Sequence, residues 1–367
     1  MIENKNVAIV IPNLGQGGVE RYAVQLAKGM QENGSNCTII TFENLPVAQQ
    51  LSGAIKIQHV SCSTTGRFQF FKSALKLRRY LQQHHFDLII SGKEQGNILT
   101  YLAQLFNKSC NAWFVTRHVP LEPGQSKGDV RWYTKKLYKY LYYKANAFVG
   151  VTDEIAAQLK LTVPKSKQHC VRAIKNPIID ADIFSFSERT PSKLNGWPAN
   201  RRVILGAGRL AEQKGFDLLI TAFEKIAATL PDVDLVLIGE GEDRESLEAL
   251  CGTLGVKDRV HFFGYTDNPW YFMRQSSLFV LSSRWEGLSI VLPEAIALGR
   301  PVVAFDCPTG PRMLLGDDSP ALVPFPDTDA LANTMLLQLN SPFCPLVDLS
   351  EFHTSQSAKN YLSLLKV

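Results

Sequence analysis

Val203-Ile204-Leu205-Gly206-Ala207-Gly208-Arg209-Leu210-Ala211-Glu212-Gln213-Lys214-Gly215-Phe216 reads as a short buried strand, a glycine turn and the opening of a helix. The apolar run is too short for a helix and is closed by glycine, which favours a strand of a parallel sheet. Gly206, Gly208 and Ala211 satisfy G-x-G-x-x-A, a turn that lets backbone N–H groups approach a phosphate at a helix N-terminus. A dinucleotide loop should be followed about 20 residues later by an acid for the ribose. Glu224 falls inside the predicted helix 216–230, and Glu240 ends the next strand but stands much further on. Arg209 and Lys214 point elsewhere. Two cations at such a turn suit a leaving nucleoside diphosphate, whose developing charge needs neutralising as the bond breaks. A solvated basic turn is the bland alternative.

The same strand-then-helix scheme runs through the chain on both sides of this stretch. Strands are expected at 7–11, 37–42, 88–91, 112–116 and 147–152, with a helix at 20–31. After a pause near Asn176-Pro177, and a stretch at 185–200 rich in Ser, Pro and Asn as linkers are, further strands follow at 203–206, 235–239, 260–263, 278–282 and 301–305. Alternation of this kind predicts parallel α/β sheets. The expectation is two Rossmann-like domains facing each other across a central cleft, residues 1–176 and 177–349, with a C-terminal helix at 350–367 that packs back on the first.

Length and composition agree. The 367 residues suit two ordinary domains, and 45% hydrophobic with 20% charged residues is a globular balance. No apolar run approaches the roughly 20 residues of a membrane-spanning helix, and the start lacks a signal-peptide pattern. Seven scattered cysteines without a CxxC argue for free thiols, a reducing compartment and a cytoplasmic location. The net charge of +5 hides an asymmetry: residues 1–176 hold 23 Lys and Arg against 10 Asp and Glu. The first half therefore faces something anionic.

Two more stretches follow strands, where ligand sites of open α/β sheets lie. Gly15-Gln16-Gly17-Gly18-Val19-Glu20 follows the first strand and opens a helix. It is a tight turn or a phosphate-approaching loop. Ser282-Ser283-Arg284-Trp285-Glu286-Gly287-Leu288-Ser289-Ile290-Val291-Leu292-Pro293-Glu294-Ala295 is the most specific. Ser289 is read as the N-cap of a helix whose first turn tolerates Pro293. Glu286 on the loop and Glu294 on the helix start can converge on vicinal hydroxyls, and free amides there can hold phosphate. Asp232-Val233-Asp234 is a D-x-D at the amino end of a strand, away from that site, and is read as structural.

Gly-Gly-Val-Glu at 17–20, Gly208-Arg209 with Gln213-Lys214-Gly215, and Glu286 with Glu294 together resemble the retaining glycosyltransferases of family 4. The resemblance spans about residues 7–310 and implies the GT-B fold, a nucleotide-sugar donor, expected to be UDP-linked, and no metal. It implies that Arg209 and Lys214 hold the donor diphosphate beside Gly208, and that Glu294 binds the ribose. Glu286 then reaches the transferred sugar, with the amides of Gly287, Leu288 and Ser289 assisting, while Gly17 and Gly18 close over the phosphates. His118, in Thr116-Arg117-His118-Val119-Pro120, matches the family histidine near the transferred sugar and acceptor. Tyr265 falls where the base pocket is expected. Cys307-Pro308-Thr309-Gly310-Pro311 is typical of the branch acting on bacterial surface or lipid-linked glycans. Many members carry Glu two residues later, where this chain has Met313.

The resemblance thus implies a hexosyl- or N-acetylhexosaminyltransferase in bacterial surface-polysaccharide or lipopolysaccharide synthesis, acting on a glycan or polyprenyl-diphosphate acceptor. A sugar-nucleotide epimerase, a nicotinamide-dependent dehydrogenase and a non-catalytic sugar-nucleotide-binding module are the rivals. On a helix through 70–81, Lys72, Lys76 and Arg79 share one face and Phe70, Ala74, Leu77 and Leu81 the other. Arg67 joins them, and Arg131 and Lys135 lie in a second basic, aromatic stretch. With Glu20 and Arg117, these are the expected acceptor or membrane contacts, placing the protein peripherally on the inner face of the plasma membrane. Nucleic acid is not expected, because no binding motif accompanies the charge.

Overall fold

The computed structural model describes residues 4–15, 17–43, 55–60, 67–105, 110–119, 140–191, 197–198, 200–308 and 310–366. The chain divides into two compact units, Met1–Ile178 with Ser350–Val367, and Ile179–Leu349.

The described strands of the first unit are β1 (Asn6–Val10), β2 (Asn36–Thr41), β3 (Lys56–His59), β4 (Phe86–Ser91), β5 (Cys110–Arg117), β6 (Ala147–Gly150) and β7 (Val171–Ala173). They form one parallel sheet in the order β3-β2-β1-β4-β5-β6-β7. Val7 to Val10 are all fully buried, because helices cover both faces of a parallel sheet and leave no polar side for alternation. The helix Thr354–Ser363 returns from the far end of the chain to this unit. Ala358, Tyr361 and Leu362 enter the core beside Tyr22, Leu26 and Met30 of the helix Gly18–Glu32, and Asn33 Nδ2 donates to the Ser355 carbonyl at 3.0 Å.

The second unit contains β8 (Arg202–Ala207), β9 (Val233–Ile238), β10 (Val260–Gly264), β11 (Leu278–Leu281), β12 (Val302–Phe305) and β13 (Leu322–Val323). Its parallel order is β10-β9-β8-β11-β12-β13. In both sheets the strand order reverses direction beside the first strand of the unit, β1 or β8, which marks the carboxyl edge there as the place for a ligand.

Several expectations need correction. β3, β7 and β13 are not predicted from sequence; the first two are short and only partly apolar, and β13 has two residues. The linker expected at 185–200 begins inside a helix, Ala181–Ser187. Asp180 caps it by accepting from Ile183 N at 3.1 Å, and Phe186 stacks on Trp270 with ring centroids 5.8 Å apart. Local Ser and polar content hid an element that tertiary packing stabilises.

The Asp232-Val233-Asp234 motif lies at the amino edge and is committed to cations. Asp232 takes a forked pair of bonds from Arg202, at 2.7 and 3.1 Å. Asp234 is buried and meets Arg259 at 2.6 Å, Arg201 at 2.8 Å and His261 at 3.0 Å. Burial alone would raise the Asp234 carboxyl, but its bonds to Arg201, Arg259 and His261 outweigh that and hold it below the usual range.

Candidate functional site

The turn after β8 and the loop after β11 are built as one unit. Gly215 has φ +60, and a Cβ there would stand 2.2 Å from the Ser282 carbonyl oxygen. Only glycine lets the two backbones approach so closely in that conformation. Side chains then stitch the loops together: Ser282 Oγ donates to the Lys214 carbonyl at 2.9 Å and Gln213 Nε2 to the Trp285 carbonyl at 3.0 Å. Arg284 grips Asp217 through two bonds of 2.7 and 2.6 Å. On the other side, Glu286 N donates to the Pro308 carbonyl at 3.2 Å.

The stitching sets the charged groups. Lys214 Nζ lies 2.7 Å from Glu286 Oε1, and Ser283 Oγ donates to the same oxygen at 2.6 Å. Glu286 is buried, while the Lys214 side chain keeps 19% of its surface. Cys307 is buried beside this pair; burial first, and then the Glu286 charge, push its thiol up to about 12, so it is a neutral wall of the site. Arg209 stands at the mouth, 71% exposed, with Nε 3.0 Å from Glu242 Oε2. Gly208 sits directly over the aliphatic stem of Lys214, 3.1 Å from Cε to a built Cβ.

Glu294 is fully buried in the first turn of the helix Val291–Ala297, and Trp270 Nε1 donates to its Oε1 at 2.9 Å. Gly287, Leu288 and Ser289 form the loop between the two glutamates. Ser289 is not the N-cap. Ile290 already has helical angles, φ −81 and ψ −40, and takes the cap position without a side-chain bond. Ser289 Oγ is instead buried without a hydrogen-bond partner among the described residues, an acceptor and donor held ready within the loop. Tyr265 is 44% exposed after the left-handed Gly264. Met313 is half-buried in the helix Pro311–Leu315; its thioether offers none of the acceptor capacity of a carboxylate.

In the first unit, His118 follows β5. Its Nε2 lies 3.1 Å from Thr116 Oγ1, and its ring meets Tyr22 edge-on at 4.4 Å. Burial first, then the positive charges of Lys93 and Arg117, pull the imidazole down to about 3, so it is neutral near pH 7. Arg117 is mostly covered and 3.8 Å from Glu94. Gly17 and Gly18 form the turn into the helix Gly18–Glu32. Glu20, expected at the acceptor or membrane surface, is buried and ion-paired with Lys93. Inward pairing is favoured because both a cation and the helix N-terminus offset the desolvation of the carboxylate.

Lys72, Lys76 and Arg79 are exposed on the helix Arg67–Gln83, and Ala74, Leu77 and Leu81 are buried. Phe71 and Leu75 share the outer face, 60% and 49% exposed. Arg67 opens this helix; Arg131 and Lys135 lie outside the described residues. No described helix is long and apolar enough to cross a membrane. Ser283, Trp270, Tyr22 and Lys93 are site neighbours that the sequence reading misses. Ser283 and Lys93 each stand two residues beyond a strand end, a signal that could have found them.

Comparison with known proteins accords with this arrangement. Residues 16–181 match the family model described as Glycosyltransferase Family 4, and residues 188–352 that of Glycosyl transferases group 1. An N-acetylgalactosamine-N,N'-diacetylbacillosaminyl-diphospho-undecaprenol 4-alpha-N-acetylgalactosaminyltransferase of Campylobacter jejuni is 35% identical over 324 residues, 86% of this chain and 84% of that protein. An uncharacterized glycosyltransferase of Methanocaldococcus jannaschii is 28% identical over 256 residues, 68% of this chain but 62% of that protein's own length. In fold, the chain is similar to HepE of Anabaena in complex with UDP-glucose, with a TM-score of 0.72 and 18% identity over 98% of this chain and 95% of that one. Two parallel-sheet units, with paired cation and carboxylates at a carboxyl edge, thus belong to a chain that is a member of glycosyltransferase family 4 and has the GT-B fold.

Proposed function

We propose that this protein transfers a hexosyl or N-acetylhexosaminyl group from a UDP-sugar to a glycan or lipid-linked acceptor, with retention at the anomeric carbon and without a metal. The observation that carries this reading is the Lys214–Glu286–Ser283 cluster, 2.7 and 2.6 Å across, with the buried Glu294 on the helix that follows the same loop. It offers a cation for a diphosphate and carboxylates for sugar hydroxyls on one carboxyl edge. The relatives' names add support: one acts on a diphospho-undecaprenol-linked sugar, and another fold neighbour is recorded with UDP-glucose.

In this mechanism Lys214 and Arg209 turn from their carboxylate partners to the diphosphate, and Glu294 with Ser289 accepts and donates at the nucleotide's hydroxyls and phosphate. The bond between the anomeric carbon and the phosphate oxygen breaks. The acceptor hydroxyl bonds to that carbon on the same face, and its proton passes to the departing phosphate. No dedicated protein base is needed, and the neutral His118 serves as a hydrogen-bonding neighbour of the sugar.

Magnesium-free calorimetry with UDP, GDP, ADP and NADH tests the donor assignment. UDP is expected to bind, and Arg209→Ala to weaken it about 10- to 100-fold, the loss of one charge-assisted bond. Binding of NADH alone would favour the dehydrogenase, and conversion of donor without acceptor the epimerase.

The outer face of the helix Arg67–Gln83 supports a peripheral membrane partner. Phe71 and Leu75 supply apolar insertion, and Lys72, Lys76 and Arg79 each add about 1 kcal/mol at an anionic surface. Vesicles containing anionic lipid should sediment the protein at low salt, and replacing the three cations by alanine should reduce binding about 100-fold. No sedimentation of the unaltered protein would refute docking.

A further inference from the structure

We propose that Lys93 is a positioning residue: by clamping Glu20 it holds the glycine turn at 17–18 against the turn after β4, on which His118 rests. The proposal uses the transferase reading only for one arm of its test.

Two turns at the carboxyl edge of the first sheet meet here. Lys93 opens the helix Lys93–Ala103 with φ +57, a left-handed conformation that a residue with a Cβ adopts at a cost. Such strain persists where surrounding contacts impose it, and functional sites are where it concentrates. The imposed contact is the ion pair from Lys93 Nζ to Glu20 Oε1. Glu20 lies in the first turn of the other helix, and its side chain is 6% exposed. A Cβ on Gly17 would come within 2.2 Å of Glu20 Oε2, so the carboxylate is tucked directly under the glycine turn. Lys93 therefore reaches the turn through a buried carboxylate and ties the two loops together.

His118 is on the other side of the same clamp. A Cβ built on Gly92 would be 3.1 Å from Thr116 Oγ1 and 3.7 Å from His118 Nε2. Thr116 Oγ1 donates its proton to the Ser91 carbonyl at 2.9 Å, so toward His118 it accepts, and Nε2 carries the hydrogen. The Asn176 side chain is a further hydrogen-bond partner of the ring. The titratable and charged groups around the ring are Lys93, Arg117 with its partner Glu94, Glu20 behind Lys93, and Tyr22, whose hydroxyl is 2.7 Å from that of Tyr361. The Lys93 charge adds to burial in opposing protonation of the imidazole, so one side chain both clamps the turn and reinforces the neutral state of His118.

The test uses the full-length protein with Lys93→Met, Lys93→Gly and Lys93→Arg. His118 is followed by NMR titration of its ring, and turnover by kcat and KM for donor and acceptor. Lys93→Met is expected to move the His118 titration up by about one pH unit, through loss of a nearby like charge. It should also lower kcat 10- to 100-fold through misplacement of the turn, with Lys93→Arg restoring both. Lys93→Gly accommodates the left-handed backbone, so it supplies a second variant without the ammonium, lacking the stem as well, if the methionine variant fails to fold. An unchanged His118 titration and unchanged kcat in both uncharged variants would overturn the proposal. If the unaltered protein turns over no nucleotide sugar, the transferase reading fails, and the His118 titration still decides the role of Lys93.

Discussion

Lys214→Ala is expected to lower kcat by about 10²- to 10³-fold, the loss typical of one preorganised group facing developing negative charge. The ammonium is 2.7 Å from Glu286 and keeps 19% of its surface, so it is both held and reachable. Its partner oxygen retains the Ser283 bond at 2.6 Å when the lysine is gone, which keeps the loop in place and confines the damage to electrostatics. KM for the donor should change less than kcat, because the charge that Lys214 meets is largest when the diphosphate is leaving. Steady-state kinetics with a melting curve for the variant checks this. Near-normal turnover in a folded Lys214→Ala protein would refute the assignment.

Asp234→Ala is expected to destabilise the second unit by roughly 3 kcal/mol, since it leaves cations at a covered site without their carboxylate. For a unit of this size that lowers its melting temperature by about 6–12 °C. The value is taken at the low end because Arg201 and Arg259 keep 33% and 23% of their side-chain surface and recover some hydration. The pH dependence has a definite sign. The folded carboxyl titrates below its unfolded value, so its stabilisation is present above the unfolded pKa of about 3.9. It is lost as pH falls through the folded one. Calorimetric melts between neutral and acid pH should show the difference between Asp234→Ala and the parent shrinking toward acid. A difference that stays constant would sink the linkage, and donor binding at neutral pH should be unaffected in the folded variant.

These two sites show where sequence reading works. Lys214 is legible because it follows a strand whose apolar run and closing glycine are local features, and Glu286 and Glu294 because they follow a short apolar run that ends in serines. Asp232 and Asp234 resemble a metal motif by type, and their place at the start of a strand already puts them at the wrong edge. The N-cap at Ser289 misleads, because the residue type favours a cap while the backbone at Ile290 is already helical. Glu20 misleads for a related reason. A charged residue in a first helical turn normally faces water, and only the arrival of Lys93, 73 positions away, makes its burial tolerable.

Local pattern by itself determined the two α/β units, the order of most strands along the chain and the loops that bear chemistry, because hydrophobic period and glycine turns are short-range properties. Only the tertiary structure decided which charges neutralise one another. It paired Lys214 with Glu286, Trp270 with Glu294, Lys93 with Glu20 and Asp234 with two arginines and a histidine, and it returned Tyr361 to Tyr22 across 339 positions. Such pairs depend on distances between strand ends in a sheet, and sheet order is set by burial over the whole unit and not by any neighbouring residue.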